Sequence, residues 1–225
     1  MTRAEEIENE LLFWKTALGQ DRDDLKQRAD PNRWIEACPD IVKDIIDRHM
    51  AKPEAPLVLD VGCGPLSQIA YVQAKGAVLL GLDELARSYK TLLGDYGITP
   101  NCAMLPVNLD LDRDTDIFVQ SAALVWMRNA LDHTSSPDQA FKNLVKMVAP
   151  GGDLVVSGIV REGKHQNYVG MHQTDLFISD GRLLCQYQRG PAFVIDASDL
   201  EAVSISQTGD WPGQWLTAHY RRPSA

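Results

Sequence analysis

The sequence has no run of about 18 consecutive apolar residues, the length a helix needs to cross a bilayer, so no transmembrane helix and no membrane partner are expected. Its opening, Met1-Thr2-Arg3-Ala4-Glu5-Glu6, lacks the apolar core of a secretory signal, and the default expectation is a cytoplasmic protein. Cysteine is scarce: Cys38, Cys63, Cys102 and Cys185 lie far apart and form no C-x-x-C pair. That pattern points to reduced thiols and away from a thiolate zinc site or an iron–sulfur cluster, so no metal is expected. Basic residues are outnumbered, 22 Lys and Arg against 31 Asp and Glu, and the resulting net charge of −9 opposes non-specific attraction to a phosphate backbone. A small molecule is therefore the expected substrate, and nucleic acid is not an expected partner.

What is present is enough apolar material for one core. At 225 residues, 44% of them hydrophobic, the chain is expected to form a single globular domain over residues 1–225. Its organising stretch is Leu57-Val58-Leu59-Asp60-Val61-Gly62-Cys63-Gly64-Pro65. An apolar, β-branched run ending in a carboxylate and two glycines reads as a buried parallel strand released into a tight turn. Residues 67–75 read as the helix that follows, whose N-terminal N–H groups would face a ligand close to the bare glycines. A second strand, Gly76-Ala77-Val78-Leu79-Leu80-Gly81-Leu82, ends at Asp83, about 20 residues past the turn, where such folds place the acid that accepts ribose hydroxyls.

Asp60-x-Gly-x-Gly followed by Asp83 resembles the class I S-adenosylmethionine-dependent methyltransferases. A dinucleotide dehydrogenase is the competing reading, but Gly-x-Gly-x-x-Gly is broken at Ser67. Leu66 stands where many methyltransferases have a third glycine. The resemblance implies an α/β fold, a three-layer sandwich on a seven-stranded, mostly parallel Rossmann-like sheet with its last strand antiparallel. It also implies S-adenosyl-L-methionine as cofactor, its aminobutyrate end on the main chain at Gly62, Cys63 and Gly64 beside Asp60.

Ahead of this core, residues 3–18 show helical spacing through Ile7, Leu11 and Trp14, residues 19–30 read as a polar connection, and Asp30-Pro31 starts a second helix running to about Met50. The resemblance implies that residues 1–50 form a lid over the cofactor, with Arg28 and Trp34 as candidate contacts; a solvated arginine and a packed tryptophan are the plainer readings. Residues 51–56 are a Pro-rich linker, and residues 56–160 form the cofactor-binding core. Residues 84–93 read as a helix. A third strand within residues 102–111 leads to Asp110 and Leu111, which the resemblance implies as adenine neighbours. The fourth strand, residues 121–126, runs into Met127-Arg128-Asn129-Ala130-Leu131-Asp132-His133, which looks like the Asn-x-Leu-x-His stretch of small-molecule methyltransferases. Asn129 is placed on the cofactor's aminobutyrate end, and His133 is either a general base or a structural cap.

Ser136-Pro137-Asp138 starts a helix that ends at Pro150-Gly151-Gly152, and residues 153–160 form the fifth strand. Residues 161–195 are an insert: residues 174–179 and 182–187 read as a hairpin about Asp180-Gly181. The loop ahead of it holds Tyr168, a candidate cation–π face for the sulfonium, and His172, a candidate base; a solvated loop is the alternative. Residues 196–225 close the sheet, with a short helix at residues 196–201 and an antiparallel pair at residues 203–207 and 215–221.

Ala122-Ala123 stands where a Phe-Asp is common, so one acid is missing. Methyl transfer to a small molecule is the first reading. The alternative is a cyclase in which the cofactor's α-amine attacks its own γ-carbon, giving azetidine-2-carboxylate and methylthioadenosine. The third is a non-catalytic cofactor-binding regulator.

Overall fold

The computed structural model describes residues 2–210 and 212–224. In chain order it contains α1 (Arg3–Gly19), α2 (Asp23–Ala29), a 3₁₀ turn (Pro31–Arg33), α3 (Trp34–Ala37), α4 (Asp40–His49), β1 (Leu57–Val61), α5 (Tyr71–Ala74), β2 (Val78–Leu82), α6 (Ala86–Asp95) and β3 (Ala103–Leu105). These belong to one compact unit, Thr2–Val107. From residue 108 onward a second unit holds α7 (Asp112–Thr115), β4 (Ala122–Arg128), a 3₁₀ turn (Leu131–His133), α8 (Pro137–Met147), β5 (Val148–Ile159), α9 (Glu162–His165), β6 (Thr174–Ser179), β7 (Arg182–Tyr187), β8 (Phe193–Val194), β9 (Glu201–Thr208) and β10 (Trp215–Arg221).

The main sheet has seven strands in the order β3-β2-β1-β4-β5-β10-β9. Pairing is parallel from β1 to β2, β2 to β3 and β4 to β5, while β10 runs antiparallel to both β5 and β9. This is the expected Rossmann-like methyltransferase sheet. Strands buried on both faces explain the near-continuous apolar runs: Val58, Leu59 and Val61 in β1, and Leu124, Val125 and Met127 in β4, are all buried. No helix among the described residues is long and apolar enough to cross a membrane.

Local chemistry accounts for several element ends. Thr2 and Glu5 form a reciprocal capping box on α1. Ser136 holds the N-cap position of α8, its hydroxyl donating to Asp138 Oδ1 at 2.9 Å, with Pro137 in the first turn. The hairpin turns at Asp180 (φ 50°) and Gly181 (φ 68°), with Ser179 opposite Arg182, as Asp-Gly in a two-residue turn requires. The short strand β8 joins β6 and β7 as a third strand beside the expected pair.

Elsewhere the structure departs from the expectation. The polar connection at residues 19–30 is helical over Asp23–Ala29, and the expected second helix is interrupted at Cys38-Pro39, because a proline disfavours helical backbone at the residue before it. The third strand is three residues long, and the fifth begins at Val148, so Pro150-Gly151-Gly152 lies inside the strand as an irregularity rather than before it. A Cβ at Gly152 would stand 2.7 Å from the Ala122 carbonyl oxygen, which explains glycine there. No helix forms at residues 196–201; Asp196 Oδ1 instead accepts from the Ser198 N–H at 3.0 Å, a local turn that leads into β9.

The largest correction concerns residues 67–75, where the helix shrinks to Tyr71–Ala74. The N–H groups ahead of it are bound by side chains and are not left for a ligand. Asn101 Oδ1 accepts from Ser67 N at 2.9 Å, and Ser67 Oγ accepts from Ile69 N at 3.2 Å.

Candidate functional site

Two groups of candidate residues are built, one in each unit. In the Thr2–Val107 unit, β1 delivers the chain into Gly62 (φ 68°) and Gly64 (φ 62°), left-handed positions that bare glycine adopts without a Cβ penalty. The Gly62 N–H donates to the Leu82 carbonyl at 2.7 Å, and the Gly64 N–H donates to Asp83 Oδ2 at 3.1 Å. Asp83 Oδ1 also accepts from the Leu85 N–H at 2.8 Å. The second acid is thus tied to the glycine turn by the main chain. Burial raises the Asp83 carboxyl to about 6, against the opposing pull of those two N–H donors, while Glu10 and Glu84 add repulsion.

Asp60 is buried, and its carboxylate accepts the Ser67 hydroxyl at 2.5 Å. The Cys63 thiol is also inward. A Cβ on Gly81 of β2 would meet its sulfur at 2.7 Å, and burial pushes the thiol well above its ordinary value. The Cys63 thiol is therefore unsuited to act as a nucleophile. Arg28 is brought to the turn, its Nη1 donating to the Leu66 carbonyl at 3.3 Å, and burial lowers its pKa. Trp34 donates its indole N–H to the Arg28 carbonyl at 2.9 Å, a packed role.

Two residues here were not singled out from the sequence as site residues. Asn101 bridges the segments, its amide donating to the Ser67 and Arg28 carbonyls at 2.7 and 2.9 Å. Trp14 of α1 lies over the glycine turn; a Cβ on Gly64 would stand 3.0 Å from its Cζ2. The amphipathic spacing marked Trp14 as apolar without revealing what it covers.

In the second unit, β4 ends at Asn129, whose φ of 53° turns the chain away from the strand. Its Oδ1 accepts from Ile159 N at 3.1 Å, and its side chain hydrogen-bonds Glu162. The 3₁₀ turn that follows presents Asp132 and His133, and the insert brings up His172. His172 Nδ1 lies 2.8 Å from Asp132 Oδ2 and 3.1 Å from His133 Nε2. Glu162 Oε1 is 4.0 Å from the same nitrogen, and Glu162 Oε2 is buried with no hydrogen-bond partner. Burial acts to raise the Asp132 carboxyl, but His133 and His172 hold it below the usual carboxylate range. Burial, then the Asp132 charge, pushes Glu162 up.

His133 and His172 are thus brought together, joined by Asp132 and Glu162, which sequence reasoning missed. Asp132 sits inside the motif that was read for Asn129 and His133; Glu162 carries no sequence signal. Tyr168 stands apart in role: its hydroxyl donates to Asp175 Oδ2 at 3.0 Å, and its ring lies over Gly163, whose added Cβ would be 3.0 Å away. Both Asp110 oxygens accept from the loop before α8, at Ser135 N (2.9 Å) and Ser136 N (3.1 Å), whereas the Leu111 side chain next to it is exposed.

Residues 59–156 match the family model described as a methyltransferase domain. No curated protein sequence matches the chain. Among solved structures, the N-methyltransferase NodS from Bradyrhizobium japonicum WM9 in complex with S-adenosyl-L-homocysteine is similar over 100% of both chains, with 14% identity and a TM-score of 0.54. The 1,6-didemethyltoxoflavin-N1-methyltransferase of Burkholderia thailandensis is similar over 100% of this chain and 92% of its own, with 12% identity and a TM-score of 0.52. The [4+2]-cyclase SpnF is similar over 83% of this chain and 81% of its own, with 14% identity and a TM-score of 0.50.

Proposed function

We propose that this chain, whose residues 59–156 match a methyltransferase domain, is an S-adenosylmethionine-dependent transferase that passes the cofactor's methyl group to a small molecule. The observation that carries the reading is the bond from Gly64 N to Asp83 Oδ2, which holds an acid beside a glycine turn where a ribose diol would donate to it. In this reading the aminobutyrate end lies along the glycine turn at Gly62, with Trp14 covering Gly64, and the Arg28 guanidinium answers its carboxylate. Leu111 offers the adenine an apolar contact, with Asp110 shaping that loop.

Methyl transfer is an in-line displacement at a carbon already activated by the sulfonium, so alignment supplies most of the catalysis. The acceptor's proton is shed late, and Asn129 with the Asp132, His133 and His172 cluster is assigned to that end of the reaction. A small acceptor is supported by the net charge of −9 and by the toxoflavin-type ligand bound in one structural neighbour.

The test is to incubate the protein with S-adenosylmethionine, alone and with pooled hydroxyl and amine acceptors, and to identify products by mass spectrometry. S-adenosylhomocysteine that forms only with an acceptor, alongside a methylated acceptor, is the expected outcome. Methylthioadenosine from the cofactor alone would replace the reading with the azetidine-forming cyclase. Binding without consumption would favour the regulator.

A further inference from the structure

The Asp132, His133 and His172 cluster has more convergence than proton transfer needs. Their nearest ligand atoms, Asp132 Oδ2, His133 Nε2 and His172 Nδ1, are separated by 2.8, 3.1 and 3.7 Å. A triangle with those sides has a circumradius of about 1.9 Å, so a point about 2.1 Å from all three atoms exists just off their plane; that is the bond length of zinc to imidazole nitrogen and carboxylate oxygen. All three atoms lie within 4.8 Å of one another.

A second observation points to the same place. Glu162 is 5% exposed, its Oε2 has no hydrogen-bond partner, and its Oε1 is 4.0 Å from His172 Nδ1. A buried, half-satisfied carboxylate next to the buried carboxylate of Asp132 is costly as the structure stands. A divalent cation held by Asp132, His133 and His172 would offset the charge of the pair.

We propose that Asp132, His133 and His172 form a binding site for one divalent first-row transition metal ion, with Glu162 as a buried carboxylate beside the ligands. Two imidazoles and a carboxylate are a borderline donor set suited to Zn²⁺, Co²⁺, Mn²⁺ or Fe²⁺ rather than Ca²⁺ or Mg²⁺. The expectation of no metal rested on the absent C-x-x-C pattern, which this site does not use. Its ligands come from the turn after β4 and the loop before β6, so their spacing resembles no short motif. The site stands independently of the transferase reading. If both hold, the ion is a Lewis acid that lowers the pKa of an acceptor hydroxyl or amine in an open coordination position.

The experiment strips the full-length protein with a chelator and titrates it with Co²⁺, followed by calorimetry and by the visible ligand-field bands. One equivalent should bind. His172→Ala and Asp132→Asn should abolish binding, and Glu162→Gln should weaken it about tenfold or more. His165→Ala, on the exposed side of α9, should bind as the wild type does. Glu162→Gln keeps the side-chain shape, so it reports on the site even if the His172 variant fails to fold. No Co²⁺ binding by the wild type, or equal binding in Glu162→Gln and His172→Ala, overturns the proposal. Methyl transfer is scored separately, so loss of one reading leaves the other standing.

Discussion

The Gly64 N–H reaches Asp83 Oδ2 over 3.1 Å, joining positions 19 residues apart in the chain. The glycine turn and the second acid are therefore one unit, set by the parallel register that puts Val61 opposite Leu82. Asp83→Ala should weaken S-adenosylmethionine binding by about 1.5–3 kcal/mol, the loss expected when charge-assisted hydrogen bonds are removed. Asp83→Glu should be milder. Calorimetry showing unchanged affinity for Asp83→Ala would remove the ribose assignment.

Titration of the same carboxyl gives a second test. Burial raises it from 3.8 to about 6 in the folded protein. A folded value above the unfolded one means that its contribution to stability is complete below about 3.8 and is lost as pH rises through about 6. The wild type, relative to Asp83→Asn, should therefore lose about 2–3 kcal/mol between pH 4 and pH 7 in urea melts. Cofactor binding should show the opposite trend, because ribose hydroxyls donate to the ionised acid. Affinity should be flat above about pH 6 and fall toward tenfold per unit below it, a slope that Asp83→Asn should abolish.

Trp14 and Gly64 supply a coupling test. Gly64→Ala places a Cβ at a φ of 62° and 3.0 Å from the Trp14 indole, so it should cost about 1–3 kcal/mol. Part of that cost is contact and part is backbone strain. In a Trp14→Ala background the contact part disappears, and the Gly64→Ala penalty should shrink by about 0.5–1 kcal/mol. Additive penalties in denaturant melts would mean that α1 does not bear on the turn. Trp14→Ala is also a cleaner probe of lid behaviour than deleting residues 1–30, because Asn101 uses the Arg28 main chain to hold Ser67.

Gly152→Ala tests the irregular start of β5. The added Cβ would meet the carbonyl oxygens of Ala122 at 2.7 Å and Ala149 at 2.9 Å, and main-chain atoms have no rotamer to escape into. We expect a loss of about 2 kcal/mol, seen as a fall of about 4–8 °C in Tm. A wild-type melting temperature would show that the β4–β5 pairing gives way easily there.

Features written into adjacent residues were legible in the sequence. The apolar run into Asp60-x-Gly-x-Gly, the helix start at Ser136-Pro137 and the Asp180-Gly181 turn each follow from backbone preferences of the residues themselves. The acid at Asp83 was legible because a parallel strand pair and its crossover have a nearly constant length. The seven-stranded, mostly parallel sheet followed from the family resemblance that those residues carry.

Tertiary structure decided wherever distant side chains compete for the same main-chain groups or the same space. The Ser67 N–H after the glycine turn is taken by Asn101, 34 residues away, and so is not left for a ligand. Trp14 covers Gly64 from a helix whose periodicity says only that it has an apolar face. Asp132 and His172, 40 positions apart, meet because the insert carries one of them to the turn after β4, and Glu162 joins them from a helix that no composition signal marks. A sequence fixes what each segment prefers locally; which buried carboxylate finds a partner, and which is left with an open oxygen, is settled only when the segments share one interior.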